Sequence, residues 1–155
     1  MARFSTPLAD FAGSKAGDYT VINYADPFGQ TQFQDGLEIG KFAWLNAGIV
    51  SNMDGTAVTP ADLAGAVIRQ VNAVESGETY EHKYINTIDC MRSGVINVHV
   101  KTGDTPAQYG KVYVENAVAG EYGKATTDNT QVAIDAEFLK EVGTNLWAVR
   151  INKIQ

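Results

Sequence analysis

The order of apolar and polar residues changes character near residue 36. Beyond it, short runs of alternating apolar and polar residues stand between turn signals, the pattern of half-buried strands. The cleanest run is Val95-Ile96-Asn97-Val98-His99-Val100-Lys101, with Ile96, Val98 and Val100 on one face and Asn97, His99 and Lys101 on the other. Residues 39–46 place Phe42 and Trp44 on a common face, and residues 48–53 follow, closed by the turn dipeptide Asp54-Gly55. Strands are also expected over 66–71, 84–89, 111–115, 121–126 and 147–152, the last with Trp147, Val149 and Ile151 aligned. Residues 132–138 fit a helix or a strand, and the alternation of Val132, Ile134, Ala136 and Phe138 with Asp135 and Glu137 favours a strand. Residues 59–65 read as one helical turn, with Thr59 as N-cap, Pro60 first and Gly65 as the stop. Residues 72–83 read as a polar loop.

Before residue 36 the pattern is different. Phe4, Phe11, Tyr19, Tyr24, Phe28 and Phe33 recur without a period among Gly, Pro, Ser, Thr, Asp and Gln, and aliphatic residues are scarce. Only residues 20–24 resemble a strand. The expected organisation is an extended N-terminal arm over 1–36 and a β-rich body over 37–155. The arm cannot build a core of its own, so it either folds back over its own body or lies on another protein. Fully burying one Phe is worth about 1.5–3 kcal/mol, so several spaced aromatics in separate pockets can outweigh the entropy of ordering the arm. Those six aromatics are the candidate interface residues.

Composition narrows the class. Fifteen glycines and four prolines in 155 residues fit many turns between short elements, and with strands recurring every ten residues or so they point to an all-β fold, an antiparallel sandwich, jelly roll or barrel. A net charge of −6, with its twelve Lys and Arg dispersed, argues against a nucleic-acid partner. No apolar run approaches the ~20 residues of a membrane span, and Met1-Ala2-Arg3-Phe4 leads into no apolar stretch of a signal peptide. Cys90 is the sole cysteine, set between apolar neighbours, and is expected to be a buried thiol.

Candidate chemistry is sparse. His82 and His99 lack any His-x-His or Cys-x-x-Cys spacing, so they read as surface histidines, with no metal expected. Ser51, Ser76 and Ser93 lie in no Gly-x-Ser-x-Gly elbow. The carboxylate pairs Glu75/Glu78 and Asp135/Glu137 suit a solvated surface. Gly36-Leu37-Glu38-Ile39-Gly40 lacks the Lys of a phosphate loop and the third glycine of a dinucleotide turn. Trp44 and Tyr113 are the candidates for stacking on a sugar ring, but strand aromatics are more often core and Trp44 and Trp147 both share an apolar strand face, so a carbohydrate-binding β-sandwich stays only an alternative. No catalytic residue and no cofactor is expected.

The order of segments from Gly36 to Lys153 resembles the structural cement, or decoration, proteins of tailed bacteriophages. The likeness rests on Gly36-Leu37-Glu38-Ile39-Gly40-Lys41-Phe42, Leu63-Ala64-Gly65-Ala66-Val67 and Gly94-Val95-Ile96-Asn97-Val98-His99-Val100. Gly103-Asp104, Val112-Tyr113-Val114 and the Gly143-to-Trp147 turn into Ala148-Val149-Arg150-Ile151 complete it. The resemblance implies a non-enzymatic virion protein on the capsid exterior, assembled in the host cytoplasm. It would tie major capsid protein subunits together, as a homotrimer or dimer. Another virion role, in a tail or in head completion, is the alternative.

Overall fold

The computed structural model describes residues 15–20, 26–30, 33–69, 74–76, 79–82 and 88–154. Its regular elements are strands, with one 3-10 turn at Pro60–Asp62 and no α-helix among the described residues. The strands are β1 (Tyr19–Thr20), β2 (Asp26–Gln30), β3 (Leu37–Glu38), β4 (Phe42–Asn46), β5 (Ile49–Asn52), β6 (Leu63–Val67), β7 (Val74–Ser76) and β8 (Thr79–His82). They continue with β9 (Ile88–His99), β10 (Lys111–Val114), β11 (Ala125–Thr126), β12 (Val132–Gly143) and β13 (Leu146–Lys153).

Eight strands form one curled antiparallel sheet, a half-barrel in the order β11-β10-β12-β13-β9-β6-β4-β5, and β1 and β2 both pair with β9. A smaller sheet holds β3, β8 and β7. The curl goes far enough for Val100, just past β9, to bridge Ala125 of β11, and the Lys101 amide donates to the Ala125 carbonyl at 2.8 Å.

The inside of the curl is the main core. Phe42, Leu63, Met91, Ile96, Val98, Val112, Val114, Phe138, Val149 and Ile151 fill it, and Phe138 meets Trp147 edge-on at 5.7 Å between ring centres. Leu37, Ile39, Val50, Val67, Ile88 and Cys90 form a second cluster. Val95, Leu139, Val142, Leu146 and Ala148 form a third with Ala16. Strand β9 serves all three. Along one edge β2, at residues 88–93, gives way to β13, at residues 94–99, and along the other β6, at residues 90–91, gives way to β1, at residues 95–96. Gly94, at φ +129°, marks that handover. Cys90 is fully buried, and burial pushes its thiol pKa up to about 12.

Alternation located the long strands, and β12 and β13 run further than expected. The structure departs from expectation in several places, among them β6, which ends at Val67, and β9, which is continuous from Ile88 to His99. The turn after Thr59 ends at Asp62, whose carboxylate accepts from the Thr59 amide at 2.7 Å and hydroxyl at 2.8 Å. Gly65 is therefore no stop: it lies inside β6 at φ +132°, so close to β9 that a Cβ would sit 2.5 Å from the Met91 carbonyl oxygen. The polar stretch 72–83 contains β7 and β8, paired antiparallel. Of residues 121–126 only Ala125–Thr126 are strand, because residues 119–123 turn back to hydrogen-bond Glu115 and Phe42. Residues 84–87 and 21–24, expected as strand, lie outside the described residues.

Phe138→Ala leaves a void at the centre of the main core. It is expected to cost about 3–5 kcal/mol of unfolding free energy, read from urea midpoints at constant m-value.

Candidate functional site

The segment before residue 36 meets the body at a clamp built from two glycines. Gly17 (φ +73°) and Gly40 (φ +72°) both adopt the left-handed conformation that side chains resist. A Cβ on Gly17 would stand 2.7 Å from the Arg69 amide nitrogen, and one on Gly40 would stand 2.5 Å from Ala16 Cβ. Two stretches of backbone thus touch with no room for side chains. Hydrogen bonds fix the contact: the Gly17 amide donates to the Asn97 carbonyl at 2.8 Å and the Asn97 amide to the Asp18 carbonyl at 2.9 Å. The Arg69 amide donates to the Gly17 carbonyl at 3.0 Å. Asp18 then accepts the Arg69 Nε–H at 2.7 Å across 51 residues of sequence. With β1 and β2 paired along β9, residues 15–20 and 26–30 form a strap on the body sheet.

Where the strap lies, the polar face of β9 is covered. Asn97 is fully buried, its Nδ2 donating to the Lys15 carbonyl at 3.3 Å. His99 is half-buried, and its amide donates to the Gly40 carbonyl at 2.8 Å. The expectation of a surface histidine fails at His99 for that reason; the side chain of His82 lies outside the description. Burial, helped by the charges of Lys41 and Lys124, pulls the His99 pKa down to about 4. Lys41 is paired with Glu38, and Lys124 with Glu121 at 2.9 Å. Lys101 reaches the fully buried Glu115 at 2.6 Å, and that bond raises the lysine's pKa. The other Glu115 oxygen accepts the amides of Ala117 and Val118, so this carboxylate closes the 115–118 turn.

Among the candidate aromatics, Phe33 is half-buried against the second cluster and bridges Val50. Tyr19 and Phe28 have their backbones in β1 and β2, opposite Ile96 and Cys90. Phe4, Phe11 and Tyr24 lie outside the described residues. Trp44 and Trp147 both pack on the main core, and the Trp44 indole donates to the Asn52 carbonyl at 3.1 Å. Asp135 accepts from Asn152 at 3.0 Å and Glu137 from Arg150 at 2.7 Å, so both carboxylates face neighbours on β13. An open groove between the 3-10 turn and β12 is lined by Pro60, Ala133, Ile134, Asp135, Lys153 and Ile154. It brings together one carboxylate and one ammonium group. No cluster of three or more His, Cys, Asp or Glu able to hold a metal occurs among the described residues. The sequence reading missed Gly17, Gly40, Asp18, Arg69 and Asn97. Their only common signal is geometric, and a single chain does not display it.

The model of the XM1 gp53 minor capsid protein family matches residues 5–153. This chain belongs to that family. A chain in the solved capsid of Myoviridae Phage XM1 shares the fold, with a TM-score of 0.78, 27% sequence identity and 91% of each chain covered. No curated protein matches the sequence. The family member described here is thus a capsid-associated structural protein of the virion, in company with other capsid components. The family match runs through strap and body without a break.

Gly17→Ala should loosen the clamp, lowering stability by roughly 2 kcal/mol or more and speeding proteolytic cleavage near residue 15. A second expectation concerns acid. The unfolded chain protonates His99 near pH 6.5, whereas the folded ring stays neutral down to about pH 4. This group therefore leaves stability unchanged above pH 6.5, lowers it as pH falls through that window, and adds no further loss below it. The total is on the order of 3 kcal/mol. Urea midpoints at pH 7 and pH 4.5 should differ less in His99→Gln than in the parent chain, and equal differences would dismiss the assignment.

Proposed function

We propose that this protein is a capsid cement protein. It binds the outer surface of the head as a homotrimer and stabilises contacts between major capsid protein subunits. The observation that carries the reading is the likeness to a phage capsid chain across 91% of both molecules. The distribution of charge supports a role without catalysis. Glu38/Lys41, Asp18/Arg69, Glu115/Lys101, Glu121/Lys124 and Glu137/Arg150 pair with one another and so hold loops and strands in place.

A cement protein works by linkage: binding only the assembled lattice stabilises that lattice, and several weak contacts joined in one oligomer act as a strong one. The strap bears on where such contacts arise. Residues 15–20 and 26–30 are held on the body sheet, so the capsid contact proposed for this segment is tested first at Phe4, the first aromatic of the sequence. Removing residues 1–33 would delete β1 and β2 and uncover Asn97, which makes that truncation a test of folding before it is one of binding.

Purified full-length protein added to heads lacking it should bind saturably, in copy numbers comparable with the major capsid protein, and raise the temperature at which heads release DNA. Phe4→Ser should weaken this decoration while leaving the unfolding midpoint of the free protein unchanged. Binding in only a few copies per head would instead indicate a head-completion or tail component.

A further inference from the structure

Tyr109 is 64% exposed, more than any other large apolar side chain among the described residues; Val118 and Ile49 follow at 44% and 40%. Its backbone lies in the left-handed region at φ +63°, which a bulky residue adopts only under constraint. Main-chain hydrogen bonds impose that constraint. The Tyr109 amide donates to the Phe138 carbonyl at 2.6 Å, the Phe138 amide to the Gly110 carbonyl at 2.9 Å and the Gly110 amide to the Ala107 carbonyl at 2.9 Å. Glycine at position 109 would make the same bonds without strain, so the loop gains nothing from the ring. A strained residue that holds an aromatic ring out to solvent points to a contact made outside its own fold. Tyrosine suits such a contact, because its rigid ring loses little entropy on docking and its hydroxyl can meet an acceptor.

The surface also carries a hollow of matching kind. The groove between the 3-10 turn and β12 has a volume of about 210 Å³. That is below the roughly 300–1,000 Å³ of a small-molecule site and nearer the scale of one side chain. Pro60, Ala133, Ile134 and Ile154 give it apolar walls, with Asp135 and Lys153 beside them. Asn152 takes Asp135 Oδ1 at 3.0 Å, and no group among the described residues takes Oδ2. A free carboxylate oxygen beside apolar walls is what the tip of a tyrosine ring requires. A molecule does not fill its own groove in this way. Tyr109 is absent from the lining, and it is anchored on Phe138, three to five residues along β12 from Ala133–Asp135, or roughly 10–17 Å at strand spacing.

We propose that Tyr109 of one copy of this chain inserts into the groove of a second copy, its hydroxyl donating to Asp135 Oδ2. Charge is complementary too, since exposed Lys111, two residues beyond the ring, arrives beside exposed Asp135. The contact rests on the homo-oligomer of the proposed function and gives that oligomer a specific joint. Knob and hollow are different patches, so the joint runs head to tail: repeated, it closes a ring of three, and made twice between two copies it forms a dimer.

The test mixes two full-length variants, Tyr109→Cys and a size-tagged Ala133→Cys, under oxidising conditions and without heads. The buried Cys90 does not compete. A disulfide joining tagged to untagged chains is expected, and its absence from folded protein overturns the proposal. Sedimentation supplies a second reading. Tyr109→Gly, which removes the ring and relieves the backbone, should weaken self-association about tenfold or more, as should Ala133→Arg, which fills the hollow. An oligomer that survives Tyr109→Gly unchanged overturns the joint and leaves the cement reading standing. A monomeric parent chain that still decorates heads does the same, whereas a monomeric chain that fails to decorate them removes both.

Discussion

The structure depends on one strand whose every edge and face must be satisfied. β9 is buried for most of its length, and a buried backbone leaves no N–H or C=O to water. Four strands therefore converge on it: β6 and β13 from the body, β1 and β2 from the strap. The same strand supplies side chains to all three apolar clusters. Remove any of these partners and the cost appears as unpaired amides beside uncovered apolar surface. This is why the N-terminal segment, which has no core of its own, is nonetheless held to the body through several backbone hydrogen bonds.

Much of this architecture is legible in the sequence, because antiparallel strands with one face on a core must alternate. Val95 to Lys101, Val132 to Phe138 and Trp147 to Asn152 announce themselves in that way. The faces of β9 were also read correctly: Ile96, Val98 and Val100 do line the main core. What alternation cannot say is what covers the second face. Asn97 and His99 read as solvent-facing because polar residues usually are, yet a strap from 82 residues upstream lies over Asn97, and the His99 amide is taken up by the Gly40 carbonyl. β7 and β8 escaped notice because their residues carry no apolar alternation. Gly65 was misread because glycine ends helices and also lets backbones approach closely, and only the packing of β6 on β9 decides between these uses.

The candidate site was less legible than the fold. Aromatic side chains stand out in a sequence, whereas the clamp consists of backbone contacts at Gly17 and Gly40 and an ion pair from Asp18 to Arg69. Such features arise from the meeting of distant segments and leave no local periodicity. The resemblance to phage cement proteins pointed to the right kind of assembly because it rested on the order of several segments. The finer role belongs to surfaces, whose partners are not written in the chain itself.

The single thiol of the protein has a consequence for the particle that carries it. With its pKa pushed to about 12 and no exposed surface, Cys90 has almost no thiolate at neutral pH, and the thiolate is the form that reacts. A virion shed into aerated surroundings meets peroxide and molecular oxygen for as long as it waits for a host. A coat built from many copies of this chain would keep its sulfhydryls unspent over that interval, neither welding neighbours together nor ageing by oxidation at that position.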